Sequence, residues 1–275
     1  MSNDETQKER IADLYHRVAS SYGQVGPNIF AYAGQQLVER IGMTQGAQVL
    51  DVAAGRGANL FPAAHAVSPS GQVIGIDLAP GMVQETTAEI KRLHLSHAIM
   101  LQMDAENLLF PDASFDYVLC SFAIFLFPHL EQALSEFFRV LRPGGKIGIT
   151  VAQDIDALSR WFGEHLTSYH QRYHFPLRAG GGQGNNYSDL PLYLTEAGFI
   201  NVETHQEQTG FVYANADEWW NARWSHGPRY ALEHMDFQVL AQFKAEVFDK
   251  LSQEAQSPDI HSTLRFQYII ANKES

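Results

Sequence analysis

The chain has 275 residues, with 19 Lys plus Arg against 31 Asp plus Glu and a formal net charge of −12. Hydrophobic residues make up 45% of it, enough to bury a sizeable core. The acidic balance disfavours nucleic acid and anionic membrane surfaces, both of which are bound through clustered cations.

The N-terminal run MSNDETQKER is polar and lacks the apolar segment of a signal peptide. A first helix is read from Ile11, Leu14, Tyr15, Val18 and Tyr22 at helical spacing, closed by the loop YGQVGPN. A second helix is expected over Ile29 to Ile41. Strands and helices then alternate. VLDVA is a short apolar strand, AGRGA a small-residue loop, and Leu60, Phe61, Ala64 and Val67 mark the next helix. GQVIGIDL is a second strand, and Pro80 suits the first turn of the helix carrying Met82, Val83, Ile90 and Leu93. AIMLQ and FDYVLCSF follow as strands, Leu130 to Leu141 as an amphipathic helix, RPGG as a turn and KIGITVA as a fifth strand. Apolar strands separated by amphipathic helices indicate a parallel sheet covered on both faces, an α/β fold. The longest apolar run, Tyr117 to Phe127, is broken by Ser121 and stopped by Pro128, so no membrane insertion is expected. Its one cysteine, Cys120, excludes an internal disulfide and reads as a buried core thiol in a reducing, cytoplasmic setting.

After Ala152 the rhythm changes. Asp154 to Tyr173 reads as an aromatic, His-rich helix, RAGGGQGNN as a loop, and Leu190 to Ala197 as a short helix. VETHQEQTGFVY alternates imperfectly, further helices follow, and LRFQYIIAN is a closing strand. Two late strands would add an antiparallel edge to the sheet. One domain over 1–275 is expected, with N-terminal helices at 1–45, a ligand-binding core at 46–152, cap helices and insertions at 153–262 and a closing strand at 263–275.

The sharpest constellation is the strand VLDVA with the loop behind it. Ala53, Ala54, Gly55, Gly57 and Ala58 let a ligand approach the backbone, and the loop opens a helix whose N–H groups can meet an anion. An ordinary tight turn would use the same residues. Asp77 ends the second strand 22 residues beyond Gly55, where an acidic side chain accepts from a ribose diol. Leu60 stands where a dinucleotide fingerprint has its third glycine, and no Gly-Lys-Ser/Thr follows.

In order and spacing, VLDVAAGRGANL, VIGIDLAPGMV, MDAENLLFPDASFDYVLCSF and VLRPGGKIGIT resemble the class I S-adenosylmethionine-dependent methyltransferases, closest to the ubiquinone/menaquinone and natural-product small-molecule branch. The resemblance covers about Tyr22 to Ala152. It implies a Rossmann-like, seven-stranded, mostly parallel sheet with an antiparallel edge strand, a helical cap and S-adenosyl-L-methionine as cofactor. Carried over position by position, it puts Asp51, Ala53, Gly55 and Gly57 around the methionine part. Ala53 replaces a usual glycine. Asp77 would hold the ribose, Leu78 and Met82 would line the adenine, and Asp104 would accept from its amino group beside Ala105 and Glu106. Ser121 and Phe122 would lie near the sulfonium. Tyr22 would close over the cofactor, though a core aromatic reads equally well there.

The acceptor is less legible. Phe125, Leu126 and Phe127 after the fourth strand suggest an apolar pocket, hence an apolar small molecule of quinone-like, polyketide, terpenoid or indole type methylated on O, N or C. His129, His170 and His174 are the candidate bases; a solvated helix start is the competing reading of His129. His170 and His174 lie one helical turn apart, but no third ligand accompanies them, so no metal is expected. Trp219, Trp220 and Trp224, with His226 beside them, read mostly as cap packing, the alternative being that one face contacts an apolar ring or stabilises a cation. The competing functions are an RNA or protein methyltransferase, a cofactor-binding protein of this fold that does not methylate, and an NAD-dependent oxidoreductase.

Overall fold

The computed structural model describes residues 3–179, 189–254 and 259–275. Two helices, α1 (Asn3–Val18) and α2 (Ile29–Ile41), precede the sheet. The alternating core is β1 (Gln48–Val52), α3 (Leu60–Val67), β2 (Gln72–Asp77), α4 (Pro80–Arg92), β3 (Ala98–Gln102), β4 (Phe115–Ser121), α5 (Leu130–Val140) and β5 (Leu141–Ile155). Then come α6 (Ala157–Tyr173), α7 (Leu190–Glu196), β6 (Ile200–Tyr213), α8 (Ala216–Trp224), α9 (Arg229–Glu233), α10 (Phe237–Glu254) and β7 (Ile260–Asn272).

The seven strands run in the order β3-β2-β1-β4-β5-β7-β6. The first five pair in parallel, and β7 runs antiparallel to both β5 and β6. This is the Rossmann-like sheet expected, with its antiparallel pairing at one end. Strand order reverses between β1 and β4, and open α/β sheets bind ligands at such a switch point. The loops after β1, β2, β3 and β4 therefore converge on one crevice.

One apolar cluster holds Leu50, Ile76, Val118, Phe137 and Ile149, and a second holds Leu37, Leu60, Val73, Leu119 and Tyr268. They account for the continuous apolar strands. A third core lies in the cap, where Phe162, Trp219, Trp220, Phe243 and Val247 pack together. Full burial of such side chains contributes about 1.5–3 kcal/mol each, so the cap is a packed body and not a loose insertion. A smaller cluster joins Ile11, Leu14 and Val18 of α1 to Met82 of α4 and Tyr230 of α9.

Several boundaries differ from expectation for identifiable reasons. The helix expected from Asp154 begins at Ala157: Asp156 caps it, Oδ1 accepting the Ser159 N–H at 2.8 Å, while Asp154 and Ile155 prolong β5 against β7. RPGG falls within β5, but its register against β4 jumps from Phe115–Leu141 to Tyr117–Lys146, so it forms a bulge, with Gly144 at φ 75°. Tyr22 lies beyond α1, its N–H donating to Val18 O at 2.8 Å. The closing strand starts three residues earlier than expected, at Ile260. Most of RAGGGQGNN, from Gly180 on, lies outside the described residues. Among those residues no helix is long and apolar enough to cross a membrane.

Candidate active site

The loop between β1 and α3 is built on left-handed backbone, with φ of 51° at Ala53, 52° at Gly55 and 81° at Gly57. Glycine adopts this region freely; Ala53 holds it at a cost of about 1–2 kcal/mol. Phe122, at φ 54° after β4, is strained in the same way. Both face one cleft, and such strain persists only where surroundings enforce it.

Asp77 fixes the loop from the side. Its Oδ2 accepts the Gly55 N–H at 2.9 Å and its Oδ1 the Ala79 N–H at 2.9 Å. Thr86 Oγ1 donates to Gly55 O at 2.7 Å. Burial pushes the Asp77 carboxyl up to about 6, although the backbone N–H groups of Ala79, Gly55 and Leu78 pull it down. Behind the loop Asp51 is fully buried. Asn59 Nδ2 donates to its Oδ1 at 2.9 Å, and Ser121 Oγ donates to Asn59 Oδ1 at 2.9 Å. The other oxygen, Oδ2, is buried with no hydrogen-bond partner, and burial raises this carboxyl to about 7.

At the third strand's end Asp104 Oδ1 accepts the Glu106 N–H at 3.0 Å, and Lys8 Nζ lies 2.7 Å from Asp104 Oδ2 and 2.6 Å from Glu106 Oε2. Burial pulls the Lys8 ammonium down, but these bonds outweigh it and leave it raised. The buried Glu106 also accepts the His129 N–H at 2.9 Å. It is thus a strut tying α1, β3 and the start of α5 together.

The cleft is lined by eleven of the thirteen residues expected there: Tyr22, Ala53, Gly55, Asp77, Leu78, Met82, Asp104, Ala105, Glu106, Ser121 and Phe122. Asp51 and Gly57 stand behind its wall. Gly57 is small for another reason, since a Cβ there would sit 2.5 Å from the Phe61 ring. At Gly55 a Cβ would meet only Tyr22, at 3.7 Å, so neighbouring packing leaves this backbone open to a ligand.

A second cavity of about 550 Å³ lies under the cap and shares with the cleft a wall of Ile11, Tyr15, Tyr22, Phe122 and Leu126. Phe125 and Leu126 line it as expected, with Phe30, Phe162, Leu166, Tyr213 and Phe266, whereas Phe127 lines the first cleft instead. Tyr22 stacks on Phe30 at 4.8 Å between ring centres, and Phe30 meets Phe122 edge-on at 5.4 Å.

None of the three candidate histidines lines either cavity. The His129 side chain is 50% exposed beside Asp4. His170 uses Nδ1 on Phe175 O, and His174 takes the left-handed position that ends α6, so both serve the end of a helix. The histidine that does face the cavity is His226, edge-on to Phe30 at 6.2 Å. Burial, then the Arg223 charge, push it down to about 3, so its imidazole is neutral. Arg223 lines the same cavity. Sequence reasoning missed both Lys8 and Arg223, because a lone cation on a helix carries no pattern. It named His226 only as a neighbour of tryptophans. Among the described residues no group of three or more His, Cys, Asp or Glu assembles that could hold a metal ion.

A model of the methyltransferase domain matches residues 49–145, which hold every residue lining the cleft except those of α1 and Tyr22. Nocamycin O-methyltransferase of Saccharothrix syringae is 30% identical over 271 residues, covering 93% of this chain and 96% of that protein. The chain belongs to the methyltransferase family. Aklanonic acid methyltransferase DauC of Streptomyces sp. (strain C5) is 37% identical over 147 residues, 54% of this chain and 67% of that one. The YcgJ protein of Bacillus subtilis shares the fold, with a TM-score of 0.59 at 19% identity over 89% of this chain and 99% of that chain. This methyltransferase is an enzyme that uses S-adenosylmethionine. The cleft fits that cofactor: it has an open backbone at Gly55, a carboxylate at Asp77 and an unpartnered buried oxygen on Asp51 close behind.

The two raised carboxyls set a pH dependence. Both stand above the ordinary value of 3.8, at about 6 and about 7. In the cofactor-free enzyme they contribute stability below about pH 4 that is lost as pH rises through about 6 to 7. A cofactor carrying hydroxyl donors and positive charge favours their ionised forms. S-adenosylhomocysteine affinity should therefore rise with pH up to about 7 and level off above, and Asp77→Asn should remove the part centred near 6. Titration calorimetry across this range checks it; a flat profile would contradict the linkage.

Proposed function

We propose that this methyltransferase acts on an apolar small molecule held under the cap, with transfer taking place across the wall that the two cavities share. The carrying observation is the cavity of about 550 Å³, lined largely by aromatic and aliphatic side chains and adjoining the cleft at Tyr22 and Phe122. Its size suits a drug-sized organic acceptor. Because the relative that spans the chain is named an O-methyltransferase, oxygen is the favoured atom.

In this reading Asp77 holds the ribose, Leu78 and Met82 contact the adenine, and Asp104, Ala105 and Glu106 border its amino edge. The backbone of Ala53 and Gly55 lies along the methionine part, backed by Asp51, with Ser121 and Phe122 nearest the sulfur. Bound there, S-adenosylmethionine would supply an electrophilic methyl to the acceptor, with the carbon–sulfur electron pair leaving on sulfur. The chain's own residues align and enclose the acceptor. Tyr22, Phe30 and Phe122 form an aromatic partition that excludes water, and positioning of this kind carries much of the acceleration. Neutral His226 accepts a hydrogen bond from the acceptor's hydroxyl, orients it, and takes its proton as the oxygen–methyl bond forms. It replaces His129, His170 and His174 in that role.

Incubating the enzyme with methyl-labelled S-adenosylmethionine and cell extract tests the proposal. Label is expected in material extracted into organic solvent. Label recovered only in RNA or protein would sink it.

A further inference from the structure

The acceptor cavity has a charge imbalance that its apolar character hides. Arg223 lines it, and none of its described lining residues is Asp or Glu. Arg223 sits on α8, whose start is capped by Asn215 Oδ1 accepting the Glu218 N–H at 2.9 Å. Four residues beyond Trp219 on one helix face, its guanidinium lies over that ring at 4.0 Å and 5.8 Å from the rings of Phe162 and Tyr213. Nε and Nη2 are buried and have no hydrogen-bond partner.

Among the described residues no carboxylate forms an ion pair with Arg223. The Tyr213 hydroxyl and the Asp156 charge offset it only in part. Asp156 is itself occupied: Oδ1 accepts the Ser159 N–H at 2.8 Å, and Oδ2 accepts Ser159 Oγ at 3.0 Å and Ser262 Oγ at 2.5 Å. Burying a guanidinium among aromatic rings without a countercharge is costly. Aromatic faces recover some of that cost, but they do not neutralise the charge. A ligand can.

We propose that the acceptor is an anion, and that Arg223 is the specificity-determining residue that holds its carboxylate or enolate oxygen inside the otherwise apolar cavity. This rests on the reading of that cavity as the acceptor site. Guanidinium suits the task because it stays charged and offers donors in a planar fork matched to paired oxygens.

The test uses the full chain with S-adenosylhomocysteine present and two pairs of probes at neutral pH. Naphthoate is compared with neutral naphthamide, and ionised hydroxynaphthoquinone with its methyl ether. The enzyme is expected to bind each anion about ten- to a hundredfold tighter than its neutral partner, as a buried charge-assisted hydrogen bond allows. Preference confined to the first pair identifies a carboxylic acid acceptor, and preference confined to the second an enolic or phenolic one.

R223Q and R223M should abolish the preference while S-adenosylhomocysteine affinity stays within about twofold. R223M should keep its melting temperature in the free enzyme, because it removes a charge that has no ionic partner. Equal binding of anion and neutral probe in both pairs, failure of both anions to bind, or a preference that survives R223Q would overturn the inference. So would loss of stability in R223M with the preference intact, which is the signature of a purely structural arginine. If unmodified enzyme fails to bind S-adenosylhomocysteine, the methyltransferase reading fails first; normal cofactor binding without anion preference defeats this inference alone.

Discussion

Replacing Asp77 by Ala should weaken S-adenosylhomocysteine binding by about 30- to 1000-fold, the effect of losing two or more hydrogen bonds to a half-buried carboxylate. Two losses combine. In the proposed pose the ribose loses its acceptor, and the loop loses the bond from Gly55 N–H that holds its left-handed path. Asp77→Asn keeps the shape and one acceptor oxygen, so it should fall between the two. Titration calorimetry gives the affinities, and thermal melting separates loss of binding from loss of fold. An affinity in Asp77→Ala equal to that of the unchanged enzyme would remove Asp77 from the site.

Gly34→Ala should produce the largest loss of stability. Gly34 lies on α2 where that helix crosses the end of the β1–α3 loop. A Cβ there would stand 2.1 Å from Ala58 O, 2.5 Å from Ala58 C and 3.0 Å from Asn59 N, all backbone that no rotamer change can clear. The expected cost is about 3 kcal/mol or more, a fall in melting temperature of about 6–12 °C. Because Asn59 bridges Asp51 and Ser121, the shift should also reach the cleft and lower cofactor affinity. Gly163→Ala is the control. It sits within α6 with no atom within 4 Å of its Cβ position, and should gain up to about 1 kcal/mol from helix propensity. A Gly34→Ala enzyme that melts with the parent would contradict this packing.

Much of the cofactor half is legible in the amino-acid sequence because it is local and ordered. Asp77 ends an apolar strand at a set distance from Gly55, and four motifs follow in fixed succession. Eleven of the expected residues meet in one cleft. The two that do not line it stand back for different reasons. Asp51 is fully buried, two residues before the cleft-lining Ala53, and Gly57 is small to make room for Phe61.

The acceptor half is hidden because it is assembled from distant segments. Arg223 and His226 belong to α8 and the turn after it, Phe30 to α2, and Ser262 to β7. No spacing in the chain links them. His170 and His174 are separated by one turn, yet that separation reflects the end of α6, where one ring bonds Phe175 O and the other residue turns left-handed. Lys8 lies in a charged N-terminal run whose pattern does not reveal that α1 reaches Asp104.

S-adenosylmethionine in the cleft at the sheet's switch point, with the acceptor beyond Tyr22 and Phe122, is the arrangement on which everything above depends. A crystal structure of the enzyme with S-adenosylhomocysteine examines it without intermediary. Ribose hydroxyls are expected on the Asp77 carboxylate, adenine against Leu78 and Met82, and the sulfur turned toward the cavity that holds His226 and Arg223. Cofactor bound elsewhere, or a ribose that leaves Asp77 uncontacted, would contradict that arrangement.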